Sequence, residues 1–332
     1  MRKIVVITGA GAGVGRATAE AFAKKGCDVG IIGRDRERLE SAAEALRQLG
    51  VRSFAYAADV ADAEAVEAAA DAIEAELGPI DVWVNNAMAT VFAPVGNVSA
   101  EEYKRATEVT YLGTVHGCKA AIRLMTRRGK GVIINVGSAL AYRSVPLQSA
   151  YCGAKSAIRG FTDSLRSELI HDRSGIRLCM VHLPAVNTPQ FNWALNKMGR
   201  RPQPVPPIYS PTVPARAIVF AAFHPRREIW VGFPTIKAIL GNRIAPGFAD
   251  WYLAKAGYTG QLTSEPEPKD RPANLFEPVP GDYRAEGRFK DQERRISLEM
   301  FTDRHKTAAI GIGIALGISA LAAIWRREIK NS

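Results

Sequence analysis

The stretch Thr8-Gly9-Ala10-Gly11-Ala12-Gly13-Val14-Gly15, directly after the apolar run Ile4-Val5-Val6-Ile7, decides the fold. A short buried strand that breaks at glycine and passes into a helix turns backbone N–H groups and the positive end of the helix dipole toward one spot, which suits a pyrophosphate. Gly9 permits the tight turn, Gly13 lets the main chain approach phosphates with no side chain in the way, and Gly15 lets the helix sit close on the strand. An ordinary strand-to-helix turn can carry the same glycines, so the pattern needs support from the rest of the chain.

That support begins with periodicity. Apolar runs of strand length alternate with helical stretches through the first 185 residues, the pattern of a parallel sheet covered by helices. The runs place strands at Lys3–Thr8, Asp28–Gly33, Arg52–Ala57, Val82–Asn85, Gly131–Val136 and Arg177–Leu183, with a first helix over Gly15–Lys25. Right-handed crossovers then build a doubly wound, Rossmann-like α/β sheet with helices on both faces. The second strand ends in Gly33-Arg34, where NAD sites commonly carry an acid for the ribose 2′-hydroxyl. Arg34 offers a cation for a 2′-phosphate instead, so NADP(H) is favoured over NAD(H). Two alternatives stand beside this: Asp35 competing for the ribose, and Arg34 as a solvated residue at a helix start.

Composition narrows the function classes. With 332 residues and 47% hydrophobic content, the chain fits one α/β domain plus an appendage, and disorder throughout is excluded. The net charge of +11 comes from scattered pairs such as Arg127-Arg128, Arg200-Arg201 and Arg226-Arg227, with no basic stripe or aromatic-rich motif, so nucleic acid is not an expected partner. Cys27, Cys118, Cys152 and Cys179 show neither metal spacing nor a C-x-x-C pair, which argues for no metal and a reducing, cytosolic setting. Thr8 and the glycines cut the first apolar run too short for a signal peptide.

The chemistry lies between Ser138 and Lys155. Ser138 follows a strand at its C-terminal end, where ligands bind in open α/β sheets, and Tyr151 and Lys155 follow as Y-C-G-A-K. Residues four apart share a helix face, so a Lys155 ammonium can sit below the Tyr151 phenol and favour phenolate. Tuned downward, that tyrosine becomes a useful proton donor and acceptor, while Ser138 would hydrogen-bond the substrate oxygen. Cys152 reads as a packed thiol and His182 as a core residue.

Taken in order, the T-G-A-G-A-G-V-G run, Asp59-Val60, N-N-A at Asn85–Ala87, Ser138, Y-x-x-x-K at Tyr151 and P-A-V-N-T at Pro184 resemble the short-chain dehydrogenase/reductase family over residues 1 to about 235. The resemblance implies an oxidoreductase acting on CH–OH groups or carbonyls, with Ser138, Tyr151 and Lys155 catalytic. It implies that Thr8, Gly9, Gly11, Gly13, Val14, Gly15, Arg34, Asp59, Val60, Asn86, Ala87, Tyr151, Lys155, Pro184, Val186 and Thr188 bind the cofactor. Within that set, Asp59 meets the adenine amino group, Val60 packs by the ring, Asn86 and Ala87 line the ribose side, and Thr188 reaches the carboxamide. It also implies a homodimer or homotetramer built partly from the Tyr111 and Tyr151 helices. Three positions depart from the family pattern: Met88 and Ala185 replace glycines, and Thr110 stands where an asparagine often holds a relay water. The last leaves a second reading open, a dinucleotide-binding regulator or scaffold with little turnover.

Beyond the motifs, Pro189–Pro211 is rich in proline and bulky groups and reads as a substrate lid, with a core-packing excursion as the alternative. Its apolar side chains imply a lipophilic small-molecule substrate. After a strand at Glu228–Gly232, residues 236–305 form an extension with helices expected over Thr235–Ala254 and Phe289–His305 and no recognisable catalytic motif. Finally, Ala308–Trp325 (within 307–325) gives 18 consecutive uncharged residues flanked by basic groups. At helical rise they span about 27 Å, close to a thin bilayer's hydrocarbon core. The expectation is a membrane-associated protein whose catalytic domain stays in the cytoplasm, with a soluble cytoplasmic protein as the alternative.

Overall fold

The computed structural model describes residues 2–268 and 270–297. Seven parallel strands form its main sheet: β1 (Ile4–Thr8), β2 (Asp28–Gly33), β3 (Ser53–Ala57), β4 (Val82–Asn85), β5 (Gly131–Ser138), β6 (Ile176–Leu183) and β7 (Glu228–Trp230). Their order, β7-β6-β5-β4-β1-β2-β3, reverses direction at β1, so the C-terminal ends of β1 and β4 open a crevice where ligands bind in such sheets. Alternation along β1 feeds both layers: Val5 and Ile7 point into one hydrophobic core, Ile4 and Val6 into the other.

The first layer is built by α1 (Gly13–Ala23), α2 (Arg36–Arg47) and α7 (Thr212–Phe223), through residues such as Phe22, Leu39, Leu46 and Ile218. The second holds α3 (Ala63–Leu77), α5 (Gly113–Thr126) and α6 (Ser149–His171), with Ile73, Leu124 and Leu165 facing the sheet. Between them α4 (Ala100–Thr107) starts on a capping box, Ser99 and Glu102 exchanging bonds with each other's backbone N–H. Asp35 caps α2 by accepting from the Arg38 N–H at 3.0 Å and pairs with the Arg38 side chain at 2.9 Å. Its carboxylate is therefore a helix cap first, which weakens the sequence alternative that made it the ribose acceptor.

Sequence boundaries hold to within a residue or two for the first six strands; β5 runs on to Ser138, so the serine closes the strand rather than following it. The extension differs more from the sequence pattern. The single helix expected over Thr235–Ala254 is two, α8 (Phe233–Ile244) and α9 (Pro246–Ala256), because Pro246 cannot continue α8 and Ala245 turns out of the helix at φ −139°, ψ 64°. Residues 289–297 form no α-helix: a single 3-10 turn, Lys290–Gln292, leads into Glu293–Arg294, which pairs in parallel with Ile208–Tyr209. The rest of the helix expected to His305, and the whole of Ala308–Trp325, lie outside the described residues. Among the described residues, no helix is long and apolar enough to cross a membrane.

Candidate active site

The glycine run folds as its spacing demands. Gly9 and Gly13 have φ +67° and +59°, and a Cβ at Gly15 would stand 2.2 Å from the Gly9 carbonyl oxygen, so these positions admit no other side chain without a shift. Thr8 ties the loop to the end of β4: its Oγ1 accepts from the Asn86 and Ala87 N–H groups at 3.0 and 3.1 Å, while Asn86 Nδ2 donates to the Thr8 and Gly9 carbonyls. Beneath them a buried polar chain locks neighbouring strands, with Trp83 donating to Asn85, Asn85 to Asn135 and Asn135 to Thr162. Such a fully paired network rigidifies the floor of the site.

One cavity of about 680 Å³ joins this loop to Ser138, Tyr151 and Lys155. Gly9, Gly11, Gly13, Val14, Arg34, Asp59, Val60, Asn86, Ala87, Pro184, Val186 and Thr188 also line it; Thr8 and Gly15 stand behind as supports. Its size falls in the range of small-molecule and cofactor sites, and the glycine cradle lining one end of it, on a helix N-terminus, fits a dinucleotide.

At the other end β5 delivers Ser138, and α6 presents Tyr151 and Lys155 on one face. Burial pushes the Tyr151 phenol up, and the neighbouring Ser138 side chain opposes that push. Lys155 is buried, and its Nζ donates to the Val136 carbonyl at 2.7 Å and lies 5.6 Å from the centre of the Tyr151 ring. Burial lowers its pKa to about 7. The expected tuning is thus reversed in this structure: burial drives both groups toward their neutral forms, because the low-dielectric pocket disfavours charge on either one.

Three other expectations are altered by neighbours from distant sequence. Arg34 does reach the cavity, but its guanidinium donates to the carbonyls of Phe276, at 2.5 Å, and of Asn274. Asp59 faces the cavity with one carboxylate oxygen bound by Arg105, which also donates to the Leu275 carbonyl at 3.0 Å. Thr110 lies in a widened turn, Glu108–Leu112, where its hydroxyl both donates to the Ala89 carbonyl at 3.1 Å and accepts from the Ala89 N–H at 3.0 Å. It braces the loop after N-N-A.

His182 and Cys152 sit apart from the cavity, as their core readings required. His182 Nδ1 meets the Ser138 carbonyl at 3.1 Å, and its ring lies edge-on to Tyr142. The lid segment divides: Gln190, Phe191, Trp193, Gln203 and Pro204–Pro206 line the cavity, while Phe191 also packs with Phe92, Ile208 and Phe289. Sequence reasoning missed a trio of glutamines at the substrate end. Gln148 Nε2 donates to Gln261 Oε1 at 2.6 Å, and the Gln203 N–H donates to the Gln261 carbonyl at 2.8 Å. It also missed Arg38, Asn274, Pro278 and Val279, which line the outer end near Arg34.

The short chain dehydrogenase family profile matches residues 3–198. The chain belongs to the short-chain dehydrogenase family. An uncharacterised oxidoreductase of Bacillus subtilis (strain 168), YxnA, is 31% identical over 326 residues, covering 98% of this chain and 91% of that protein. The probable oxidoreductase EphD of Mycobacterium tuberculosis (strain H37Rv) is 38% identical over 186 residues, which is 56% of this chain and 31% of its own length. Among solved structures, an alcohol dehydrogenase from the archaeon Thermococcus sibiricus, complexed with 5-hydroxy-NADP, matches 70% of this chain and 96% of its own with a TM-score of 0.61 and 28% identity. L-Sorbose reductase from Gluconobacter frateurii, complexed with NADPH and L-sorbose, matches 69% and 95% at a TM-score of 0.62 and 27% identity. The chain thus has the short-chain dehydrogenase fold and belongs to a family of oxidoreductases that uses nicotinamide dinucleotides.

Proposed function

We propose that this chain is an NADP(H)-dependent oxidoreductase acting on a lipophilic alcohol or ketone, with Ser138, Tyr151 and Lys155 handling the proton. The observation that carries the reading is the convergence of the glycine cradle and these three side chains on one cavity. A nicotinamide dinucleotide held there would supply or accept the hydride. Ser138 then holds the substrate oxygen by a hydrogen bond, and Tyr151, kept protonated by burial, donates its proton to that oxygen in the reducing direction. Lys155, braced on Val136, holds the floor under the phenol and favours phenolate whenever it carries its proton.

Support for NADP(H) comes from the missing acid at Gly33, from Arg34 and Arg38 at the outer end, and from the NADP-type ligands in both structural relatives. The substrate end is lined by Leu140, Val145, Phe191, Pro204, Val205 and Leu253, relieved by Gln148, Gln203 and Gln261, which suits an apolar body with one or two polar groups better than a sugar. Titration with NADPH and NADH, followed by turnover on aliphatic and aromatic ketones beside polyols, tests this. At least several-fold tighter NADPH binding and oxidation of NADPH only by apolar carbonyls are expected; equal affinities, or turnover confined to sugars, would contradict it. The second reading, a binding regulator, is favoured by Thr110, whose hydroxyl is committed to Ala89 rather than to a relay water. NADPH binding without turnover on any carbonyl would select it.

We further place the chain at a membrane surface, on two independent supports. Ala308–Trp325 has spanning length. The α8–α9 hairpin exposes Phe233, Leu240, Ile244, Phe248, Trp251 and Tyr252 beside the exposed cations Lys237, Arg243 and Lys255. Aromatic and basic groups interleaved in this way suit a lipid interface, whereas lysine is depleted from protein–protein interface cores. Tyr252 and Leu253 of the same hairpin line the cavity, so membrane-dissolved substrate would meet its mouth directly. Flotation on phosphatidylserine vesicles should be carbonate-resistant for the whole chain and salt-sensitive for a chain ending at Lys306. Recovery of the whole chain in the soluble fraction would contradict it. The homo-oligomer that the family resemblance implies is tested by sedimentation in mild detergent, where a monomer alone would contradict it.

A further inference from the structure

The segment Asn274–Phe289 runs along the outer side of the cleft, and the hydrogen bonds that hold it come from cleft residues, Gly13, Arg34 and Arg38, and from Arg105 and Asn187. At the outer end the carbonyls of Asn274 and Phe276 accept from Arg34, that of Leu275 from Arg105, and those of Val279 and Gly281 from Arg38. Leu275 and Val279 are buried, and Asn274, Pro278 and Val279 face into the cavity. Further along, Tyr283 stands edge-on to Trp193 with ring centres 4.6 Å apart, and the Arg38 guanidinium lies 5.0 and 5.3 Å from the two rings.

In the middle, the Arg284 carbonyl accepts from the Gly13 N–H at 3.0 Å. That N–H opens α1 and has no partner within the helix, so it is one of the donors that such a terminus turns toward a phosphate. At the inner end the Gly287 N–H donates to the Asn187 carbonyl at 3.2 Å, and the Phe289 N–H to Asn187 Oδ1 at 3.0 Å. Gly287 is pressed so close to the loop after β6 that a Cβ there would stand 2.5 Å from the Thr188 carbonyl oxygen.

We propose that residues 274–289 are a strap belonging to the dinucleotide site, forming its outer wall when closed and lifting whenever the dinucleotide enters or leaves. The inference rests on the dinucleotide reading above. A pyrophosphate seated on α1 and the Arg284 carbonyl compete for one N–H, so binding releases the strap's central contact. The anchors at 274–281 and 287–289 do not use that donor and can remain. Arg34 and Arg38, each keeping N–H groups beyond those given to the strap, are thereby held in place at the ribose end. Exchange of the dinucleotide is accordingly limited by how firmly the strap is held.

The test uses the whole chain in mild detergent and follows NADPH fluorescence in stopped flow. Tyr283→Ala removes the packing on Trp193 and Arg38, and Gly287→Val forces the inner end away from Thr188; neither residue lines the cavity. Each variant should raise both the association and the release rate of NADPH at least tenfold while circular dichroism stays native. Two variants, one on each side of the Arg284 contact, guard against one failing to fold. NADPH binding by the unaltered chain, with rates that neither variant moves, would overturn the strap and leave the dinucleotide reading standing. Failure of the unaltered chain to bind NADPH would overturn both.

Discussion

Replacing Lys155 by methionine should make the protein more stable at neutral pH while ending its dinucleotide-dependent turnover. The lysine is buried, its pKa is pulled from 10.5 to about 7 by desolvation, and a single carbonyl, that of Val136, meets its Nζ. The folded pKa lies below the unfolded one, so between pH 7 and 10.5 the unfolded chain binds the additional proton and stability rises with pH. At about 1.4 kcal/mol for each pH unit, the penalty near pH 7 has a ceiling of about 4–5 kcal/mol. Structural relaxation and water penetration lower that ceiling, and losing the bond to Val136 costs about 1 kcal/mol. Methionine matches the stem in length and flexibility, so Lys155→Met is expected to gain about 2 kcal/mol at pH 7, roughly 5 °C in Tm. The assay is thermal unfolding of both proteins from pH 6.5 to 10.5, and the difference between them should shrink steadily as pH rises. A variant less stable at pH 7, or a difference that does not vary with pH, would refute the buried-cation argument.

Arg34→Ala should weaken NADPH binding by about tenfold to a hundredfold, the worth of a charge-assisted pair, and leave NADH binding nearly unchanged; equal weakening of both would contradict its role at the 2′-phosphate. Thr110→Ala should cost about 1–3 kcal/mol, because the Ala89 N–H and carbonyl both lose their partner, and should raise the KM for the dinucleotide. Thr110→Ser should restore most of both, and an alanine variant with unaltered Tm and KM would show that the brace is dispensable.

Much of the fold was legible because its determinants are local. Ile4–Thr8, Asp28–Gly33 and Val82–Asn85 are short apolar runs, and each ends where glycine or a polar group stops the strand. The site's glycines were equally legible, since a positive φ at Gly9 and the close approach at Gly15 leave a trace in residue type. What escaped was made by main-chain carbonyls, which any residue possesses. Nothing in the residues around Asn274 announces that their carbonyls receive Arg34, about 240 positions away in the chain. The reversed tuning of Tyr151 and Lys155 escaped for a related reason: spacing tells which residues share a helix face but not how deeply the fold buries them. The expected helix at Phe289 failed because pairing of Glu293–Arg294 with Ile208–Tyr209 outweighs a local helical pattern. Pro246, by contrast, was a readable break within an apolar stretch that otherwise continues the helical pattern.

The central claim is that Tyr151 moves the proton during hydride transfer at this site, and Tyr151→Phe tests it most directly, because the ring and its packing remain while the hydroxyl is lost. The measurement is single-turnover oxidation of bound NADPH by an aromatic ketone, with the NADPH dissociation constant determined on the same samples. The expected result is a dissociation constant within about threefold of the original and a rate at least a hundredfold lower, the loss of a positioned general acid. An unchanged rate in the phenylalanine variant would contradict the account.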